Sequence, residues 1–188
     1  GTGTLASGMG SFVNGTSSVA SGDYSTASGY YNTASGYVSH AQGSETTASG
    51  AYSHAEGSST VSSYYGSHAE GGFTTASGLY AHAEGNGTVA SGSASHAEGG
   101  KGPSLGTGNI ASGDASHVEG GYVPAGIPSI NQPTSATTYS SHAEGIGTLA
   151  SGRASHAEGE LTKSTNNGSH AEGRETTASG LYSHAEGQ

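Results

Sequence analysis

Small side chains alternate with larger or charged ones along this chain in five-residue runs of the form (Ser/Thr)-x-Ala-x-Gly, one run every seven residues. Units begin at Thr4, Ser11, Ser18, Ser25, Asn32, Ser39, Thr46 and Ser53, and the beat continues to Ser116. It resumes in a shifted frame from about Ile127 through Ser141, Thr148, Ser155, Ser169, Thr176 and Ser183. Two flavours largely alternate, Thr-x-Ala-Ser-Gly and Ser-His-Ala-Glu-Gly, so the full period is fourteen residues. Such a repeat speaks about architecture before it speaks about chemistry. Period-two alternation predicts strands, with Ser, Ala and Gly on one face and His and Glu on the other. The closing Gly, with one further residue, is expected to supply a tight turn. Each repeat is then one coil of two short strands, and the coils stack as a parallel β-solenoid. A heptad coiled coil is excluded, because 35 of the 188 residues are glycine, and glycine every seventh residue is costly in a helix.

A coil of fourteen residues encloses almost no width, so only Ser, Thr, Ala and Gly fit inside it. A stack of glutamates cannot be buried there unpaired. The small residues therefore line the interior, and the His/Glu face looks outward. Methyl-sized side chains bury little apolar area at roughly 25 cal/mol per Å². With 30% hydrophobic residues, two phenylalanines and no Trp or Cys, a single roll is marginal as a monomer. Self-association is the natural source of the missing burial.

Tandem units such as Ser18-Val19-Ala20-Ser21-Gly22 and Asn109-Ile110-Ala111-Ser112-Gly113 resemble the head domains of trimeric autotransporter adhesins, the YadA-like head. The resemblance covers nearly the whole chain apart from two interruptions. It implies an all-β, left-handed parallel β-roll, assembled as a homotrimer around one axis, that binds a host-surface or matrix receptor, protein or glycan. Similar repeats occur in phage tail fibres. The second x is usually Ser or Glu here, where the family's unit often carries an apolar residue.

All ten histidines occupy one slot of the repeat. His54, His68, His82, His96, His117, His142, His156, His170 and His184 are followed two residues later by Glu56, Glu70, Glu84, Glu98, Glu119, Glu144, Glu158, Glu172 and Glu186, and His40 by Gln42. At a coil spacing of about 4.8 Å equivalent residues stack directly, and like charges repel by roughly 1 kcal/mol in water. Neighbouring histidines offset this by hydrogen bonding or, when protonated, by ion pairing. The favoured reading is a structural His/Glu ladder within one chain or across a subunit boundary, with stability that responds to pH near 6.5. Threefold symmetry bringing three histidines onto one metal is a sharper alternative. Ten equivalent sites without a pocket argue against catalysis, and no cofactor is expected.

The other strand carries Thr47, Thr75, Val89, Ile110, Leu149 and Thr177 at its first x, β-branched and apolar residues suited to a face that meets partner chains. An ice-binding Thr array is a weaker alternative, interrupted by Val, Leu and Ile. Tyr24, Tyr31, Tyr52, Tyr80 and Tyr182 each precede a half-repeat, a position suited to packing over the coil edge.

One repeat domain spans residues 1–188, with interruptions at 100–108 and 121–140 that contain all four prolines. Insertions in solenoids become loops on one face, often the binding face. Lys101, Pro103 and Leu105 in the first, and Tyr122, Val123, Ile127, Ile130 and Tyr139 in the second, are the candidate partner-binding residues. A net charge of −10 lacks the basic footprint that nucleic acid requires and disfavours docking to anionic lipid. No apolar run is long enough to insert this segment in a membrane. The expected role is non-enzymatic attachment at a bacterial cell surface or outside the cell. A phage-virion fibre for host recognition and a purely structural spacer are the rivals.

Overall fold

A computed structural model describes residues 1–100, 108–121 and 132–187. The chain winds as a parallel β-solenoid of twelve coils, and no helix occurs among the described residues. Each coil contributes one strand to each of two 12-stranded parallel sheets. One sheet collects the Thr-type units as two-residue strands, from Leu5–Ala6 to Thr177–Ala178. The other collects the His-type units, mostly as five-residue strands such as His82–Asn86. The pairing places like on like: His68 opposite His82, Ala69 opposite Ala83, Glu70 opposite Glu84. The coil therefore has two unequal sides. In the Thr-type unit the chain leaves the ladder after x-Ala, because the following Ser-Gly already enters a turn, as where Ser25 N donates to Gly22 O at 3.2 Å.

The interior holds one column of alanines from each sheet, Ala48 and Ala55 among them, fully buried. The Ser, Thr or Asn that opens most units is also buried, and in several its polar atoms turn back onto the main chain, while Ser53 Oγ, Thr60 Oγ1, Thr74 Oγ1 and Thr148 Oγ1 have no hydrogen-bond partner among the described residues. Ser25 Oγ donates to Gly22 O at 2.6 Å, and Asn32 Nδ2 donates to Ser28 O at 2.6 Å and Gly43 O at 2.8 Å. Such bonds satisfy groups whose burial unpaired would cost about 1–3 kcal/mol each. Val118 is the one side chain larger than alanine in the buried hydrophobic set.

The closing glycine opens the expected turn and is kept small by a second constraint. A Cβ on Gly22 would stand 2.0 Å from the carbonyl oxygen of Gly36 in the next coil, so the residue is small because coils approach closely there. The left-handed turn conformation falls two residues later, on Tyr24 at φ 57°. Among the described residues, sixteen non-glycine residues adopt it, with φ between 51° and 59°.

Both interruptions fit this plan. Val89 pairs with Ile110 and Ile110 with Ser135, so the coil lengthens from fourteen residues to 21 and then 25. The extra residues enter both times between a His-type strand and the next Thr-type strand. The two insertions thus leave one corner of the roll, on adjacent coils. Regular structure returns early in the second: Ser135–Ala136 is a strand paired with Leu149–Ala150, although its unit Thr-Ser-Ala-Thr-Thr lacks the closing glycine.

Candidate functional site: the imidazole–carboxylate column

In-register stacking of the His-type strands sets all ten imidazoles in one file on the outer face. Consecutive ring centroids lie 4.7–4.9 Å apart. From His54 to His96, and again from His117 to His170, neighbouring ring planes agree within 3°. The file loosens at its ends, with 21° between His40 and His54 and 38° between His170 and His184.

The glutamates form a second file beside it. His Nε2 to Glu Oε distances run from 3.3 to 4.0 Å. Glu70 places Oε2 3.9 Å from His68 in its own coil and Oε1 3.7 Å from His82 in the next. Glu172 does the same for His170 and His184, at 4.0 and 3.6 Å. One carboxylate therefore serves two imidazoles, and the ladder runs within a single chain. Only His96 with Glu84, at 3.3 Å, reaches hydrogen-bonding range. The Nε2 atoms of seven histidines, His68 and His117 among them, are closed to solvent and have no hydrogen-bond partner among the described residues.

This crowding moves the titrations. Burial, then the charge of a neighbouring imidazole, lowers His54, His68 and His82 below the ordinary histidine value, against an opposing pull from the glutamates. Among the carboxyls the direction alternates. Glu70 is pushed up to about 7, first by its hydrogen bond with Glu84 and then by burial. Glu98 is pushed up to about 7 by Glu119, Glu84 and burial. Glu84 is lowered by hydrogen bonding with Glu70 and Glu98, and Glu119 by hydrogen bonding with Glu98 and Glu144. Raised and lowered carboxyls thus alternate from Glu70 to Glu119. Gln42, Glu56, Glu70 and Glu84 border an open trough of about 500 Å³ floored by Gly43, Gly57, Gly71 and Gly85.

A second line of side chains runs along a corner of the roll. Tyr24, Tyr37, Tyr52, Tyr65 and Tyr80 meet edge to face at 5.3–6.0 Å. All five are exposed. Tyr24, Tyr52 and Tyr80 hold the slot expected from the sequence. Tyr37 and Tyr65 were not singled out, because they lie one residue earlier in the intervening coils, and a period of 28 residues is needed to see the zigzag.

Of the candidate partner-binding residues, Tyr139 is exposed at a turn, where Asp114 beside it raises its phenol above the usual range. Lys101, Pro103, Leu105, Tyr122, Val123, Ile127 and Ile130 lie outside the described residues. No helix of the described chain is long and apolar enough to cross a membrane. No protein-family model matches the chain, and no curated protein matches it either.

Proposed function

We propose that this chain is a non-enzymatic attachment segment: a left-handed roll, working as a homotrimer at a bacterial surface, that carries its recognition elements at one corner. The carrying observation is the common exit of both insertions, on neighbouring coils and from the same side of an otherwise uniform roll. A spacer gains nothing from adjacent insertions at one point, whereas a recognition surface is assembled that way. The uniform ladders support a rigid scaffold. The histidines are read as part of that scaffold, repeated too evenly to form a catalytic centre.

Self-association rests on the Thr-type sheet. Its outward slot runs Val19, Thr33, Thr47, Val61, Thr75, Val89, Ile110, Ser135 and Leu149, all half-buried and stacked in one column. This column, with Val19, Val61, Val89, Ile110 and Leu149 as its aliphatic members, is the surface assigned to partner chains.

The test replaces residues 122–131 with a short glycine–serine link, leaving the strand Ser135–Ala136 in place. Both proteins are applied to an array of glycans and matrix proteins. Saturable binding by the parent and its loss in the variant, at unchanged oligomeric mass, is the expected result. Equal binding by both contradicts the corner as the recognition site, and binding by neither favours the spacer.

A further inference from the structure

The unpaired Nε2 atoms lie among oxygens at a spacing that hydrogen bonding does not explain. An N–H···O bond closes to about 2.7–3.2 Å. The gaps here are mostly 3.6–4.0 Å, although nothing but side-chain rotation prevents closure. Nitrogen and oxygen ligands about 2.0–2.2 Å from a zinc ion, set at a tetrahedral angle, stand about 3.4 Å apart. The column brackets that edge length.

We propose that the column is a repeated site for divalent transition-metal ions. Each ion takes Nε2 of one histidine and one oxygen each from the glutamates of its own and the preceding coil. His96 with Glu84 and Glu98, and His117 with Glu98 and Glu119, are such groups, their ligand atoms all within 4.8 Å of one another. Sets of two histidines and one glutamate occur at His68, Glu70 and His82, at His142, Glu144 and His156, and at His156, Glu158 and His170. They fit less well, because parallel rings aim their lone pairs side by side instead of at a common point. One imidazole with two carboxylates suits zinc or manganese better than calcium, which takes oxygen alone. The open trough leaves a fourth position to water.

Charge supports the same assignment. Glutamates stacked one coil apart repel when both are ionised, and a divalent ion between them neutralises two at once. The column holds nine of the glutamates, and with each committed to a single ion, two per ion, at most four ions bind per chain. This proposal is independent of the attachment reading and of the chain's oligomeric state.

The test uses the untagged protein in its native assembly, stripped with chelator and dialysed against zinc. Saturable uptake approaching four ions per chain is expected, with a rise in Tm that follows occupancy. Changing Glu70→Gln, Glu98→Gln, Glu144→Gln and Glu172→Gln together leaves every histidine with at most one carboxylate and is expected to abolish saturable uptake. Gln42 already occupies the slot in a regular coil, and circular dichroism checks that the fold persists. Should that variant fail to fold, Glu98→Gln alone is expected to lower the limit from four ions to three. Absence of saturable zinc binding in the parent, or uptake unchanged by these substitutions, would overturn the proposal.

Discussion

Val38 sits at φ 52°, a left-handed conformation that a β-branched residue seldom adopts. The turn needs positive φ at this position whatever residue is present, so tyrosine, valine, alanine and serine each carry the strain in different coils. Left-handed backbone costs a non-glycine residue about 1–2 kcal/mol, part of which glycine returns through its freer unfolded chain. Val38→Gly is accordingly expected to raise stability, by up to about 1 kcal/mol, in urea unfolding. The closing glycines behave in the opposite way. Gly57 has φ 111°, and a Cβ there would stand 2.0 Å from Gly71 O. Gly57→Ala should lose about 3 kcal/mol or more, from backbone clash added to strain.

Titration is also decided residue by residue. The histidines are lowered, so their share of stability is present above pH 6.5 and is lost as pH falls through their folded values. Glu70 and Glu98 are raised from 4.5 to about 7, so their share is full below 4.5 and is lost as pH rises through 7. The two slopes oppose each other. Glu70→Gln with Glu98→Gln removes only the second, so in chelator its Tm advantage over the parent should grow from pH 5 to pH 8. A difference that stays constant across that range contradicts the raised titration of Glu70 and Glu98.

Among the elements, the strand pattern and the fourteen-residue coil were legible in the sequence, because Ser, Ala and Gly return at fixed intervals and a buried column tolerates nothing larger. The inequality of the two strands was not. Alternation alone makes Thr-x-Ala-Ser-Gly and Ser-His-Ala-Glu-Gly look alike, and only the turn begun at Ser-Gly shortens the first. The strand Ser135–Ala136 was hidden for a related reason: its unit ends in Thr137-Thr138 where glycine is the expected mark. The His/Glu face was legible as a ladder. That one carboxylate reaches two imidazoles depends on side-chain directions across coils, which spacing does not specify.

The whole molecule is a roll about 55–60 Å long at the strand spacing, too thin to bury large side chains. Among the described residues, its buried hydrophobic side chains are alanines and one valine. Stability therefore draws on ladder hydrogen bonds, which act between neighbouring coils, and in the proposed trimer on surfaces covered between chains. The aliphatic column on the Thr-type sheet is where that covering is expected. Charge works against looser association, since a net charge of −10 makes like chains repel unless an apolar surface holds them. Placing aspartate at Val61, Val89 and Ile110 together should dissociate the assembly, because each charge would face a partner with no cation opposite it.

Light scattering of the purified chain bears most directly on this account. A mass three times 18.2 kDa, reduced to a single chain by the three aspartates, is the predicted result. A parent that runs at 18.2 kDa and still unfolds cooperatively on heating would show that the roll stands alone, and the account of its assembly would be wrong.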